Sequence, residues 1–184
     1  YDGMPVGGND FSLASVFSFH PVKMITTGEG GALSVSTKRL KEKSISLRSH
    51  GILEPKASKG HKERKWFYEQ HYLGHNFRMT EFQAALGISQ LRRLKTFVNT
   101  RNKLAKIYKT RLSHLPLKFQ EVLPNAISSY HLFTIEIIDK NFSRDALYAY
   151  LNKNHIGCQV HYIPLYLQPF YKKLGFLKGS HINS

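Results

Sequence analysis

The sequence predicts an α/β chain followed by the start of a smaller α+β unit. Three features carry that expectation. A short apolar run at 11–19 is followed by a glycine-rich turn and a second short run at 32–36. A long helical pattern opens at Thr80. After Pro124 the texture changes to strand, helix and strand.

Taken in order, 11–19 (FSLASVFSF) is small, apolar and centred on a β-branched valine. It reads as a buried strand of a parallel sheet. Thr26 to Gly31 is a glycine-rich turn, and 32–36 (ALSVS) is a second strand. Thr37 can cap a helix running to about Ser49, with Gly51 as its stop signal. Residues 50–79 form a polar, aromatic-rich loop, and a loop of that length is usually functional or mobile. Thr80 and Gln83 make a capping box. With no proline before Pro116, one long helix, kinked or straight, can run from Glu81 to about Leu112. Residues 131–139 alternate like a strand. Ser143 can cap a helix to about Asn154, and 158–162 (CQVHY) reads as another strand. The expected division is residues 1–115 and residues 116–184.

Charge dominates the composition. There are 27 Lys+Arg against 12 Asp+Glu, a formal net charge of +15. Such a surface attracts polyanions, including phosphates, nucleotide diphosphates and nucleic acid. The densest run lies at 56–65, either a solvated loop or a clamp for a diphosphate. A basic nucleic-acid-binding protein is the competing reading of a different class. It has no helix-turn-helix, zinc or RNP-type pattern to support it. No stretch approaches the roughly 20 apolar residues of a membrane helix. The single cysteine, Cys158, precludes an internal disulfide and fits a cytoplasmic location. His71 and His75 are four apart, but no Cys or carboxylate completes a metal set, so no metal is expected.

The segment 18–31 (SFHPVKMITTGEGG) holds the candidate chemistry. It places Lys23 just past the end of a predicted strand, where open α/β sheets put ligands. Apolar neighbours there would desolvate the amine and favour its nucleophilic form. Ser18, five residues earlier, offers a hydroxyl to a phosphate oxygen.

This segment closely resembles the lysine motif S-F-x-x-x-K-x-[IL]-[TS]-[TS]-G-E-G-G of the DegT/DnrJ/EryC1/StrS sugar aminotransferases. A second stretch, 74–85 (GHNFRMTEFQAA), is similar to their motif G-x-N-x-R-[ML]-[ST]-[DE]-x-Q-A-A. Arg48 to Gly51 (RSHG) and 159–166 (QVHYIPLY) also fit. The resemblance implies an aspartate-aminotransferase-type fold, fold type I of the pyridoxal-phosphate (PLP) enzymes. Residues 1–115 would be the C-terminal part of the PLP-binding large domain, and residues 116–184 part of the small C-terminal domain. It implies Lys23 as the lysine that carries PLP covalently and Ser18 as a ligand of the cofactor phosphate. Asn76 would reach the phosphate of a neighbouring subunit, which implies a homodimer.

The implied reaction moves an amino group, with glutamate as donor, to C4 of a UDP-linked 4-keto-6-deoxy sugar, as on a pseudaminic-acid-type route. Another nucleotide-linked keto-sugar of the same family's range is the alternative. His161 and Tyr162 are implied sugar-nucleotide contacts or, equally, an ordinary strand end. His20 can line the pocket or simply pack, and Glu29 reads as a structural partner of the turn. The family's upstream half, which binds the pyridine ring, has no counterpart among these residues. The sequence therefore reads as a piece of a longer polypeptide. On its own such a piece is expected to bind PLP weakly and to be inactive.

Overall fold

The computed structural model describes residues 1–8, 10–53 and 66–176. The basic run at 56–65 lies outside the described residues. The chain forms two compact units: Tyr1–Leu115 with Phe119–Ile135, and Pro116–Lys118 with the residues from Glu136 onward.

In the first unit β1 (Ala14–Ser18) and β2 (Gly31–Val35) form an antiparallel ribbon, with Ala14 opposite Val35 and Ser18 opposite Gly31. The expected buried strand of a parallel sheet is corrected in two respects. The strand spans only 14–18, and its partner is antiparallel. Val16 is 83% exposed. The physical reason is alternation: Ala14, Val16 and Ser18 share one face of a two-stranded ribbon, and among the described residues no second layer covers that face.

Helix α1 (Lys38–Arg48) starts where Thr37 accepts a hydrogen bond from the Leu40 amide at 3.3 Å. Two short strands, β3 (Ile52–Leu53) and β4 (Glu69–Gln70), then pair antiparallel. The capping box forms as the spelling requires. The Gln83 amide donates to Thr80 Oγ1 at 3.3 Å, and the Thr80 amide donates to Gln83 Oε1 at 2.9 Å. Helix α2 (Glu81–Arg92) follows, then α3 (Leu94–Arg111). The expected long helix is thus broken at Arg93. Its backbone sits at φ −98° and ψ −2°, and its N–H bonds the carbonyls of Gln90 and Leu91. That local tightening ends one helix and starts the next without proline or glycine.

Residues 119–135 group with the first unit, so the chain is not divided by a single cut at 115/116. Aromatic packing explains this. Phe133 stacks on Tyr108 of α3 with ring centroids 5.1 Å apart and lies 5.8 Å from Phe119.

Strands β5 (Leu117–Phe119) and β6 (Ile135–Ile137) pair with each other. The strand expected over 131–139 is therefore much shorter. Helix α4 (Arg144–Lys153) is capped by Ser143, which accepts from the Ala146 amide at 3.3 Å. A 3-10 turn at Leu165–Leu167 leads into α5 (Pro169–Lys173). The strand expected at 158–162 is not formed. Among the described residues no neighbouring strand offers it a ladder, and an unpaired extended segment is not a sheet. No helix among the described residues is long and apolar enough to cross a membrane.

Replacing Thr80 by Ala removes the N-cap of α2 and should lower the unfolding free energy by about 1 kcal/mol, with Thr80→Ser close to wild type. Urea denaturation followed by circular dichroism checks this. Equal stability of all three forms would contradict the capping role.

Candidate active site

The loop between β1 and β2 is closed by its own main chain. The Phe19 amide donates to Gly30 O at 2.8 Å, and the Thr27 amide donates to Phe19 O at 3.0 Å. The Thr26 hydroxyl adds a second bond to Phe19 O, also at 3.0 Å, and accepts from the Gly28 amide at 2.9 Å. A tight turn from His20 O to the Lys23 amide (2.9 Å) ends at Lys23. Lys23 is half-buried, and its Nζ lies 3.5 Å from His131 Nε2. Ser18 is exposed, and its Oγ accepts from the His20 amide at 3.4 Å. His20 Nε2 lies 3.8 Å from Glu29 Oε1 across the loop.

Helix α2 fixes this loop from one side. Gln83, already engaged in the capping box, donates from Nε2 to Glu29 O at 2.9 Å. Thr27 is buried, at 3% exposure, and its hydroxyl donates to Glu29 O at 2.8 Å. The Thr27 methyl packs at Gly87, where an added Cβ would stand only 2.9 Å away. A small residue in the second turn of α2 is what lets the helix approach.

A backbone knot places Asn76. The His50 amide bonds His75 O (2.8 Å), the His75 amide bonds Leu47 O (2.8 Å), and the Phe77 amide bonds Arg48 O (2.9 Å). Ser49 and Asn76 thereby form an isolated β-bridge. The knot needs two glycines. Gly51 has φ +74° and lies directly against the Tyr72 carbonyl. A Cβ on Gly74 would meet the Leu47 carbonyl oxygen at 2.8 Å and also the Gly51 amide. Asn76 itself is exposed, as are Leu73, Phe77 and Phe82 close to it in sequence, at 90%, 71% and 91%.

Ser18, the last residue of β1, and Lys23, in the loop that follows, therefore lie on one hairpin, and Asn76 sits on a separate knot in the same unit. His161 and Tyr162 belong to the second unit, both exposed, with ring centroids 4.2 Å apart. Among the described residues no group of three His, Cys, Asp or Glu side chains gathers to hold a metal. His71 instead meets Glu69 at 3.2 Å. Sequence reasoning did not single out His131 or Arg101. A lone histidine at the head of an alternating apolar run, 108 residues from Lys23, carries no local signal of its role.

Chemically, a half-buried primary amine can form an imine with an aldehyde, and a nearby hydroxyl can bind a phosphate oxygen.

The model of the DegT/DnrJ/EryC1/StrS aminotransferase family matches residues 1–183. A Helicobacter pylori protein named UDP-4-amino-4,6-dideoxy-N-acetyl-beta-L-altrosamine transaminase is 38% identical, over 95% of this chain and 44% of its own length. The solved structure of Helicobacter pylori PseC, an aminotransferase of pseudoaminic acid biosynthesis, aligns with a TM-score of 0.81 at 38% identity. That alignment covers 95% of this chain and 45% of PseC. The PLP form of Streptococcus pneumoniae Spr1654 aligns with a TM-score of 0.81 at 27% identity, over 96% of this chain and 44% of that one. The chain thus spans just under half the length of the curated relatives it matches. These likenesses give it part of the aspartate-aminotransferase-type fold, fold type I.

Gly74→Ala should cost about 2 kcal/mol or more, because the added methyl collides with backbone that cannot move aside. Denaturant unfolding of this variant checks it. An unchanged midpoint would contradict the knot.

Proposed function

Because the chain belongs to the DegT/DnrJ/EryC1/StrS aminotransferase family, we propose that it forms part of a PLP-dependent sugar-nucleotide aminotransferase. The reading rests on one observation above all: Lys23 stands half-buried on a loop that its own main chain closes and α2 braces. The residues present fit the cofactor. Lys23 supplies the amine that carries it, and the exposed hydroxyl of Ser18, at the end of the strand leading into the loop, supplies a donor for its phosphate. When bound, PLP supplies an electron-accepting ring next to the reacting carbon.

The chain's own residues do the rest. Lys23 Nζ, once free, would take the proton from the α-carbon of the amino donor and deliver it to the cofactor's aldehyde-derived carbon, the work of a general base and acid. Ser18 Oγ–H donates to a phosphate oxygen. Asn76 Nδ2 donates to the phosphate of a partner subunit in a homodimer. The exposed Leu73, Phe77 and Phe82, close to Asn76 in sequence, support that placement, since large bare side chains mark interaction surfaces. His161 and Tyr162 contact the sugar nucleotide. The two units stand as the C-terminal part of the large domain and part of the small one.

The amino donor is glutamate and the acceptor is C4 of a UDP-linked 4-keto-6-deoxy sugar. The name of the Helicobacter pylori relative supports that choice of nucleotide and carbon. A panel of UDP-, GDP- and dTDP-linked keto-sugars tests it, and preference for another nucleotide or carbon would replace it.

The function itself is tested on the polypeptide as its gene encodes it. The protein is incubated with PLP, reduced with borohydride, digested and analysed by mass spectrometry. A pyridoxyl group on Lys23 that is lost in Lys23→Ala supports the reading, and an unlabelled Lys23 contradicts it. Ser18→Ala and Asn76→Ala should each weaken PLP binding roughly tenfold, as expected for a hydrogen bond to a charged group. At a PLP concentration too low to load Asn76→Ala, an equal mixture of the Lys23→Ala and Asn76→Ala proteins should recover about a quarter of wild-type activity if the site is shared between subunits. No recovery would place Asn76 in its own subunit's site or nowhere near it.

A further inference from the structure

A strap at 128–131 runs between α3 and the Lys23 loop, and it is built with some care. Asn102 Nδ2 donates to Ser128 O at 2.9 Å and to Val98 O at 2.9 Å. Ser128 Oγ accepts from the Tyr130 amide at 3.1 Å. Tyr130 holds φ +45°, a left-handed conformation that side chains other than glycine rarely adopt. Arg101 Nη1 then spans the next two carbonyls, Tyr130 O at 3.0 Å and His131 O at 3.2 Å. A guanidinium on two consecutive carbonyls leaves the peptide little freedom to turn. The side chain this arrangement delivers is His131, with Nε2 3.5 Å from Lys23 Nζ.

We propose that His131 is a positioning residue for Lys23: its Nε2 accepts a hydrogen bond from the lysine amine whenever that amine is free, and so aims it at the reacting carbon. The proposal rests on the aminotransferase reading for its catalytic meaning, but the contact itself does not. An aminotransferase lysine must detach in the first half-reaction and reattach only in the second. A flexible four-carbon stem would otherwise sample many directions in the detached state. A histidine in the tautomer protonated at Nδ1 offers Nε2 as an acceptor, and the amine has an N–H to give in either of its protonation states. Arg101 and Asn102 act one step further out, holding the strap that carries the imidazole.

Two measurements on the polypeptide as its gene encodes it test this. In the cofactor-free protein, histidine is labelled with nitrogen-15, and the His131 ring signal is identified by its loss in His131→Gln. Lys23→Met should shift that Nε2 signal well beyond the shift of any other histidine, and an unmoved signal overturns the contact. This arm needs no cofactor, so it decides the contact even if Lys23 proves never to carry PLP.

In the PLP-loaded protein, His131→Phe should still take the pyridoxyl label on Lys23. Its kcat and single-turnover rate with the amino donor should fall about tenfold, the effect of losing one oriented hydrogen bond, with both KM values near wild type. His131→Gln, whose amide oxygen can accept from Nζ, should recover most of the rate. A wild-type rate in His131→Phe, or equal loss in both variants, overturns the proposal. Should His131→Phe not fold, His131→Gln and the nitrogen-15 arm still decide it: a His131→Gln rate as low as a lysine left unheld counts against the proposal. Absence of label on wild-type Lys23 would instead sink the aminotransferase reading, and with it the catalytic meaning of the contact.

Discussion

One side chain, Gln83, couples the two stretches of sequence on which the candidate site depends. Its Oε1 accepts from the Thr80 amide, which starts α2, and its Nε2 donates to the Glu29 carbonyl, which shapes the turn after Lys23. An amide side chain is suited to this because it offers an acceptor and a donor on one rigid plane. The Thr27 methyl against Gly87 and the Thr27 hydroxyl on Glu29 O reinforce the same junction. Lys23 therefore stands on a loop that is fastened to a helix. A surface lysine on a free turn has no such anchor.

The same logic recurs at the other two places that bear on the site. At the knot, main-chain bonds from α1 to the 74–77 segment leave Asn76 facing outward. The fit requires Gly51 and Gly74, where any side chain would overlap backbone. At the strap, Arg101 and Asn102 on one face of α3 hold the carbonyls of 128–131. In all three cases a polar side chain or an amide binds a carbonyl that a loop would otherwise leave unpaired, and this fixes the loop's direction. Among the described apolar residues only Ala105 is in the buried class, while Val16, Leu73, Phe82 and many others face outward.

Much of this was legible in the residues. Thr37, Thr80 with Gln83, and Ser143 each announced a helix start by local chemistry, and each start is where it was expected. The lysine and asparagine motifs gave the family. Less legible was anything that depends on pairing between distant segments. The run at 11–19 has the composition of a buried strand, but burial depends on what covers it, and composition does not say. The 158–162 stretch has strand-like residues and no ladder partner among the described residues. The break at Arg93 has no proline or glycine to mark it. His131 was invisible for the same reason as the sheet order: its meaning comes from a contact 108 residues away.

The most direct test of the central claim is the PLP affinity of Gln83→Glu, measured by absorbance titration of the polypeptide as its gene encodes it. The glutamate keeps an oxygen for the Thr80 amide, so α2 remains capped, but it has no N–H for the Glu29 carbonyl. Loss of that bond should weaken PLP binding about tenfold, with the unfolding midpoint close to wild type. Wild-type affinity in Gln83→Glu would mean that the Lys23 loop holds its shape without α2, contrary to the account given above.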